Sequence, residues 1–363
     1  MKKLLAASYF LFPSICLASS VSMYGVLDGG VQVSKAPGQD TLVQMANGFQ
    51  SGNRIGFLGT EDLGGGYSVN FRLEQGFKLS NGAEHKTGLS FSRQATLGVK
   101  GKFGELAFGR MGGLSSDCGS YSILPVSFIG TSFSAKGDSY STMIVTNRYN
   151  NSIVYKTPDF NGLTVSMMYS NGLTTDEQKW SLDNHYYGIG AVFNKEKATI
   201  TAIAEYLDNK ADRSAAKNKL DGTTILTLGG GYDFGFLNLA ATYQFSNKAM
   251  LIENYMDASK FIGSADLHKG ARQHAVVLSG DVPLAGGRFG LQVNYANGKF
   301  LDVKEGEKDY SVISIGSAYL YPFSKRTNLY IYAGYGATKK ALKTADANDL
   351  RGYSVALGLR HKF

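Results

Sequence analysis

Short connections alternate with long ones along this chain, and that alternation limits the folds open to it. Sixteen candidate strands occupy 21–34, 53–60, 66–78, 91–100, 104–110, 147–157, 162–170, 184–194, 198–208, 222–233, 236–245, 271–282, 288–297, 309–320, 327–337 and 352–363. Seven of the connections are tight, at 61–65, 101–103, 158–161, 195–197, 233–235, 283–287 and 321–326. Eight are long, near 35–52, 79–90, 111–146, 171–183, 209–221, 246–270, 298–308 and 338–351. Gly, Asn, Asp and Pro in the tight ones supply the backbone angles that turns require. With eight long and seven short connections, both chain ends fall on the short side. A soluble sandwich gives no reason for this order. A transmembrane β-barrel does, because it has short turns at one rim and long loops at the other.

Side-chain periodicity agrees. In 352–363, Tyr353, Val355, Leu357 and Leu359 alternate with Ser354, Ala356, Gly358 and Arg360. In 327–337, Leu329, Ile331, Ala333 and Tyr335 alternate with Tyr330, Tyr332, Gly334 and Gly336. A period of two places one set on lipid and the other in the lumen. The segment 91–100 is less regular, since Arg93 shares a face with Ala95, Leu97 and Val99. Tyr155, Phe160, Phe234, Phe236, Tyr321 and Phe323 gather near strand ends, as interfacial girdles do. Mean hydropathy is only −0.14 although 12% of residues are aromatic, so apolar groups are spread thinly instead of massed in a core.

Residues 1–18 read as a separate secretion signal, with the boundary placed to within two residues. Lys2 and Lys3 precede an apolar run from Leu4 to Leu17, and Cys16 and Ala18 stand at the −3 and −1 positions of a cleavage site. The mature barrel is then 19–363. Cleavage lowers the formal charge from +8 to +6, because two of 37 basic residues leave and all 29 acidic ones stay. Export with so modest a basic excess argues against nucleic acid as a partner. With Cys16 removed, Cys118 has no intramolecular mate. No later apolar run reaches the length of a spanning helix, roughly 20 residues. An exported chain without such a helix crosses lipid only as a closed barrel.

Several segments resemble the general porins of betaproteobacteria, including the neisserial type. Ser20-Val21-Ser22-Met23-Tyr24-Gly25-Val26-Leu27-Asp28 is similar to that family's opening strand, and Gly59-Thr60-Glu61-Asp62-Leu63-Gly64-Gly65-Gly66 to its first periplasmic turn. Phe91-Ser92-Arg93-Gln94-Ala95 and Phe103-Gly104-Glu105-Leu106-Ala107-Phe108-Gly109-Arg110 resemble the strands before its third loop. Asn150-Asn151-Ser152-Ile153-Val154-Tyr155 resembles the strand after it, and Gly358-Leu359-Arg360-His361-Lys362-Phe363 the ending. The resemblance implies an all-β, sixteen-stranded antiparallel barrel in the outer membrane. It further implies a homotrimer, a third loop (about 111–146) folded inward as a constriction, and frequent anion preference. Phe363 resembles the terminal signal read by outer-membrane assembly machinery. Lipid and lipopolysaccharide are the expected surroundings.

For the constriction, the resemblance places Arg54, Arg93 and Arg148 on the wall, facing Asp117 and Asp138 of the loop. Alternation independently turns Arg54 inward, opposite to Ile55 and Phe57, and groups Arg148 with Asn150 and Ser152. Arg93 is assigned inward by resemblance alone. A lipid-facing Arg at mid-membrane would cost about 2–4 kcal/mol. Guanidinium stays charged at any relevant pH, so such a ring would attract anions. Arg72, Glu74 and Arg110 are further pore-lining candidates. Leu58 departs from the family pattern, which often has a second Arg there, and this weakens the positive ring.

The five histidines, His85, His185, His268, His274 and His361, form no recognisable catalytic arrangement, and no His-Glu-x-x-His spacing occurs. The sequence therefore reads as a passive diffusion channel for small hydrophilic solutes and ions, mildly anion-selective, with no enzyme activity and no cofactor or metal. Two alternatives remain beside it: a substrate-selective pore for small organic anions, and an adhesin or host-contact barrel acting through its surface loops.

Overall fold

The computed structural model describes residues 20–35, 40–116, 118–124, 142–172, 180, 183–208, 222–249, 270–301, 308–340 and 351–363. The expected leader, 1–18, and the expected constriction acids Asp117 and Asp138 lie outside the described residues.

Seventeen strand segments form one antiparallel sheet. They are β1 (Ser20–Lys35), β2 (Leu42–Asn47), β3 (Arg54–Gly64), β4 (Tyr67–Gly76), β5 (Gln94–Gly101), β6 (Gly104–Gly112), β7 (Arg148–Lys156), β8 (Leu163–Asn171) and β9 (His185–Lys195). The second half holds β10 (Ala198–Asp208), β11 (Thr223–Asp233), β12 (Asn238–Ala249), β13 (Ala271–Leu284), β14 (Gly287–Phe300), β15 (Asp309–Pro322), β16 (Thr327–Lys340) and β17 (Arg351–Lys362). From β3 onward each strand pairs with the next. β17 then returns to β1, from Val26 opposite Lys362 to Lys35 opposite Tyr353. The chain end extends this seam: Gly25 N–H donates to the Phe363 carbonyl at 3.1 Å, and Phe363 N–H to the Gly25 carbonyl at 3.2 Å. The sheet is thereby closed.

Along its other edge β1 pairs with β3 over Ser20–Val26 and with β2 over Gly29–Ser34. Thus β2 and β3 are two halves of one barrel strand, and the barrel has sixteen strands. The reading of 35–52 as a continuous loop is corrected here. Val43 and Met45 are exposed opposite Val33 and Val31, and Ala46 beside them is buried, so this stretch belongs to the wall. Several strands also run beyond their expected ends, β12 to Ala249, β14 to Phe300 and β16 to Lys340. Those ends carry Asn, Lys and Gly rather than an apolar rhythm. Backbone pairing carries them past the point where lipid selects the side chains.

The polarity of the wall is the reverse of that of a soluble protein. Along β14, Leu291, Val293 and Tyr295 are exposed, whereas Gln292 and Asn294 between them are buried. The same holds on β17, with Val355, Leu357 and Leu359 outside and Ser354 and Ala356 inside. Buried polar groups are normally the exception and need partners. Here they form the inner face, as in a barrel whose outside is solvated by lipid. Tyr232, Phe234 and Phe236 cluster on the outside at the β11–β12 turn, and Tyr321 meets Phe323 edge-on at 5.7 Å at the β15–β16 turn. These aromatics form the girdle at the short-turn rim.

Placing an arginine on the outer face tests this orientation. Leu228→Arg, in the middle of β11, is expected to lose about 2–4 kcal/mol of stability if it sits at the bilayer midplane. Equilibrium denaturant unfolding in lipid vesicles measures that loss directly.

Candidate pore constriction

The third loop leaves β6 and re-enters at β7, and its described parts lie against the inside of the wall. Both legs meet one carboxylate. Ser115 N–H donates to Glu205 Oε1 at 3.1 Å, and Thr146 Oγ1 donates to the same oxygen at 3.2 Å. The Tyr186 hydroxyl donates to it as well, at 2.6 Å, and accepts from Leu114 N–H at 2.9 Å. Farther round, Ile144 is held by Gln244 through two hydrogen bonds, of 2.7 and 2.8 Å. Gln273 Nε2 donates to the Thr142 carbonyl at 2.7 Å. Ser120 binds Gln94 on β5, and the Tyr121 hydroxyl donates to Glu105 on β6 at 2.8 Å. Burial, with the Glu105 carboxylate beside it, pushes the Tyr121 hydroxyl above its ordinary range, so it stays a donor. Apolar contacts complete the seat, with Leu114 and Ile144 among the buried residues around Met111 and Tyr149. The described parts of the third loop thus lie inward, as the resemblance implied for the loop.

Of the wall residues expected at the constriction, Arg54 and Arg93 meet on one carboxylate. Arg93 Nε donates to Glu74 Oε1 at 2.6 Å, and Arg54 Nε lies 3.5 Å from Glu74 Oε2. Tyr24 donates its hydroxyl to that second oxygen at 2.8 Å. Alternation left Arg93 ambiguous because the strand begins only at Gln94, so Arg93 is not bound by the pleat. Its backbone N–H bonds the Glu74 carbonyl and its side chain swings onto the Glu74 carboxylate. The charges of Arg93 and Arg148 both act on Arg54, and that of Arg148 also acts on Arg110. Arg110 itself is tied to the Ser92 carbonyl at 2.9 Å and to Asn150 Oδ1 at 2.5 Å. Arg72 stands over the Tyr24 ring, 5.5 Å from its centroid. Glu74 is therefore the hub of the arginine group rather than a peripheral residue. Two guanidinium groups, Arg54 and Arg93, share the Glu74 carboxylate, so this pair of cations meets a single acid.

Sequence reasoning missed the residues that hold the loop: Tyr186, Glu205, Gln244 and Gln273. Each is a large polar group on the inward phase of its strand, which was a usable signal for the lumen. Their partners were not readable, since Glu205 and Ser115 are 90 positions apart. Arg360 on β17 was also passed over; its Nε donates to Asn328 Oδ1 at 3.1 Å inside the barrel. Among the described residues, no group of three His, Cys, Asp or Glu side chains is placed to hold a metal ion.

A closed barrel, apolar outside and polar inside, with a loop and a charged group in its lumen, defines an outer-membrane channel. The family model for Gram-negative porins matches residues 4–341, and the chain belongs to that family. An outer membrane porin protein of Bordetella pertussis is 30% identical over 406 aligned positions, covering 100% of both chains. The major outer membrane protein P.IB of Neisseria meningitidis serogroup B is 26% identical, again over 100% of both. Among solved structures, an anion-selective porin from Comamonas acidovorans superposes with a TM-score of 0.66 at 22% identity, covering 95% of this chain and 100% of that one. The chain is thus an outer-membrane porin.

Removing the loop anchor tests the seat. Glu205→Ala leaves three donors without their acceptor, at a cost of about 1–3 kcal/mol for each buried group that stays unpaired. The expected outcome is a lower thermal transition, followed by circular dichroism, together with increased open-channel current noise.

Proposed function

We propose that this porin is a passive diffusion route for small hydrophilic solutes, with a mild preference for anions set by Arg54, Arg93 and Arg148. The supporting observation is the convergence of Arg54 and Arg93 on Glu74, with the charge of Arg148 acting on the group. A lumen charge of one sign at a narrow point raises the local concentration of the opposite ion and repels its own. Glu74 offsets part of that charge, and Leu58 contributes none where the family pattern, by resemblance, often has Arg, so the preference is mild. Asp117 and Asp138 belong to the same reading as loop acids facing the arginines. The protein acts as a channel and not as an enzyme, and solutes move down their gradients without a cofactor. By family resemblance it assembles as a homotrimer among lipid and lipopolysaccharide, after removal of the 1–18 leader. Phe363 serves the assembly machinery, and its backbone pairs with Gly25 at the end of the closing seam.

Reversal potentials in planar bilayers under a salt gradient test the selectivity. Wild type is expected to favour anions. Arg93→Ala is expected to lower the anion-to-cation permeability ratio, and Glu74→Gln to raise it, each by about 1.5- to 3-fold. Cation preference unchanged by either substitution would remove the arginine group from the explanation.

Deleting Phe363 is expected to reduce the folded, heat-modifiable protein recovered from outer membranes while leaving refolding in detergent intact. An equal loss in both settings would make Phe363 a fold residue only.

A further inference from the structure

We propose that residues 48–53 form a second inward wall of the pore, a ledge that limits its width on the arc away from the described anchors of the third loop and fixes Arg54 and Arg93. This rests on the channel reading above.

The ledge arises where β2 and β3 break apart. Asn47 pairs with Gly29 and Arg54 pairs with Val26, so only Leu27 and Asp28 separate the partners on β1 while six residues, 48–53, separate Asn47 from Arg54. The surplus backbone has to leave the sheet. On the lipid side its free N–H and C=O groups would be unpaired in hydrocarbon. It leaves inward. Phe49 is 1% exposed and lies 6.2 Å from Tyr330, nearly parallel, and 5.1 Å from Tyr332. Both tyrosines are on the inward phase of β16. Ala46, Ala318 and Ala356 complete the seat, and their small size makes room for the ring.

Asp28 clamps the ledge. Its carbonyl accepts from Gly48 N–H at 2.8 Å, and its carboxylate accepts from Ser51 N–H at 2.6 Å and from the Tyr330 hydroxyl at 2.8 Å. Its own N–H donates to Asn53 Oδ1 at 2.6 Å. Asn328 Nδ2 donates to Gln50 Oε1 at 2.9 Å, which ties the middle of the ledge to β16. Gly48 begins the turn at φ +67, a conformation that favours glycine. The far end meets the arginines. The Gly52 carbonyl accepts from Arg54 at 3.0 Å, and a Cβ added at Gly52 would stand 2.7 Å from the Arg93 guanidinium.

Among the described residues, the two inward elements take complementary arcs of the wall. The described anchors of the third loop are on β5, β6, β9, β10, β12 and β13. The ledge rests on β1 and on β15 to β17. What passes between them is bounded on one side by the loop and on the other by a short backbone segment whose aromatic anchor is hidden.

Two variants separate the functions of the ledge. Phe49→Ala removes the anchor and is expected to raise single-channel conductance about 1.5-fold and to admit larger neutral polymers. Gly52→Val meets only the movable end of Arg93 and is expected to shift the reversal potential with little change in the polymer cut-off. Folding of each is checked by heat-modifiable migration, and if Phe49→Ala fails to fold, Gly52→Val alone decides. A conducting wild type with both folded variants unchanged in conductance, cut-off and reversal potential would overturn the ledge and leave the channel reading standing. A folded wild type that does not conduct would overturn both.

Discussion

Everything in this molecule depends on the seam between β1 and β17. A strand in hydrocarbon cannot leave an edge unpaired, because no water is present to satisfy its N–H and C=O groups. The seam uses ten residue pairs from Val26–Lys362 to Lys35–Tyr353 and is continued by the mutual bonds of Gly25 and Phe363. Once the ladder is closed, the outer side chains need only be apolar, and the inner ones become free to be polar. A water-filled interior then tolerates irregular backbone that the outer surface would not. The third loop and residues 48–53 both exploit that tolerance.

Much of this was legible in the sequence, and the reasons are local. Alternation is a one-strand property, so Leu357, Leu359 and their neighbours revealed the outer face, and it set Arg54 on the face opposite to Ile55 and Phe57. Turn residues are local too, and they revealed the hairpin order. What escaped was decided by groups far apart in the chain. Arg93 was ambiguous because a strand boundary releases it from the pleat, and its destination is a carboxylate 19 positions earlier. The strand at Leu42–Asn47 was hidden because six residues out of register interrupt it. Tyr330 was read as one of an alternating set, but nothing nearby announces that its hydroxyl binds Asp28, 302 positions away.

The charge balance follows from burial. A carboxylate withdrawn from water is costly unless paired, and so is a guanidinium, although Arg is the more weakly hydrated cation. Glu74 is 8% exposed and is satisfied by Arg93, Arg54 and Tyr24 together. The pairing fixes where the guanidinium groups sit, and it also takes away part of their field. Rigid positioning and strong selectivity therefore oppose each other at this site. An arginine without the acid would carry more field and hold its position less well.

The two inward elements face a difficulty that a loop on a dry core does not. They are held inside a channel, where water competes for every hydrogen bond and reduces the net worth of each to about 1 kcal/mol. The anchors escape this competition by being covered. Glu205 is 3% exposed and Asp28 0%, so the donors they hold would stay unsatisfied if the bonds broke. The penalty is then the desolvation of a buried polar group and not the small exchange energy of an exposed one. Covering requires neighbours with bulk, and the wall supplies them as Tyr186 beside Glu205 and Tyr330 beside Asp28. A tyrosine suits both tasks because its ring excludes water while its hydroxyl donates to one oxygen of the acid. Each inward element is thus held by the same device, an acid under a tyrosine, on different arcs of one barrel.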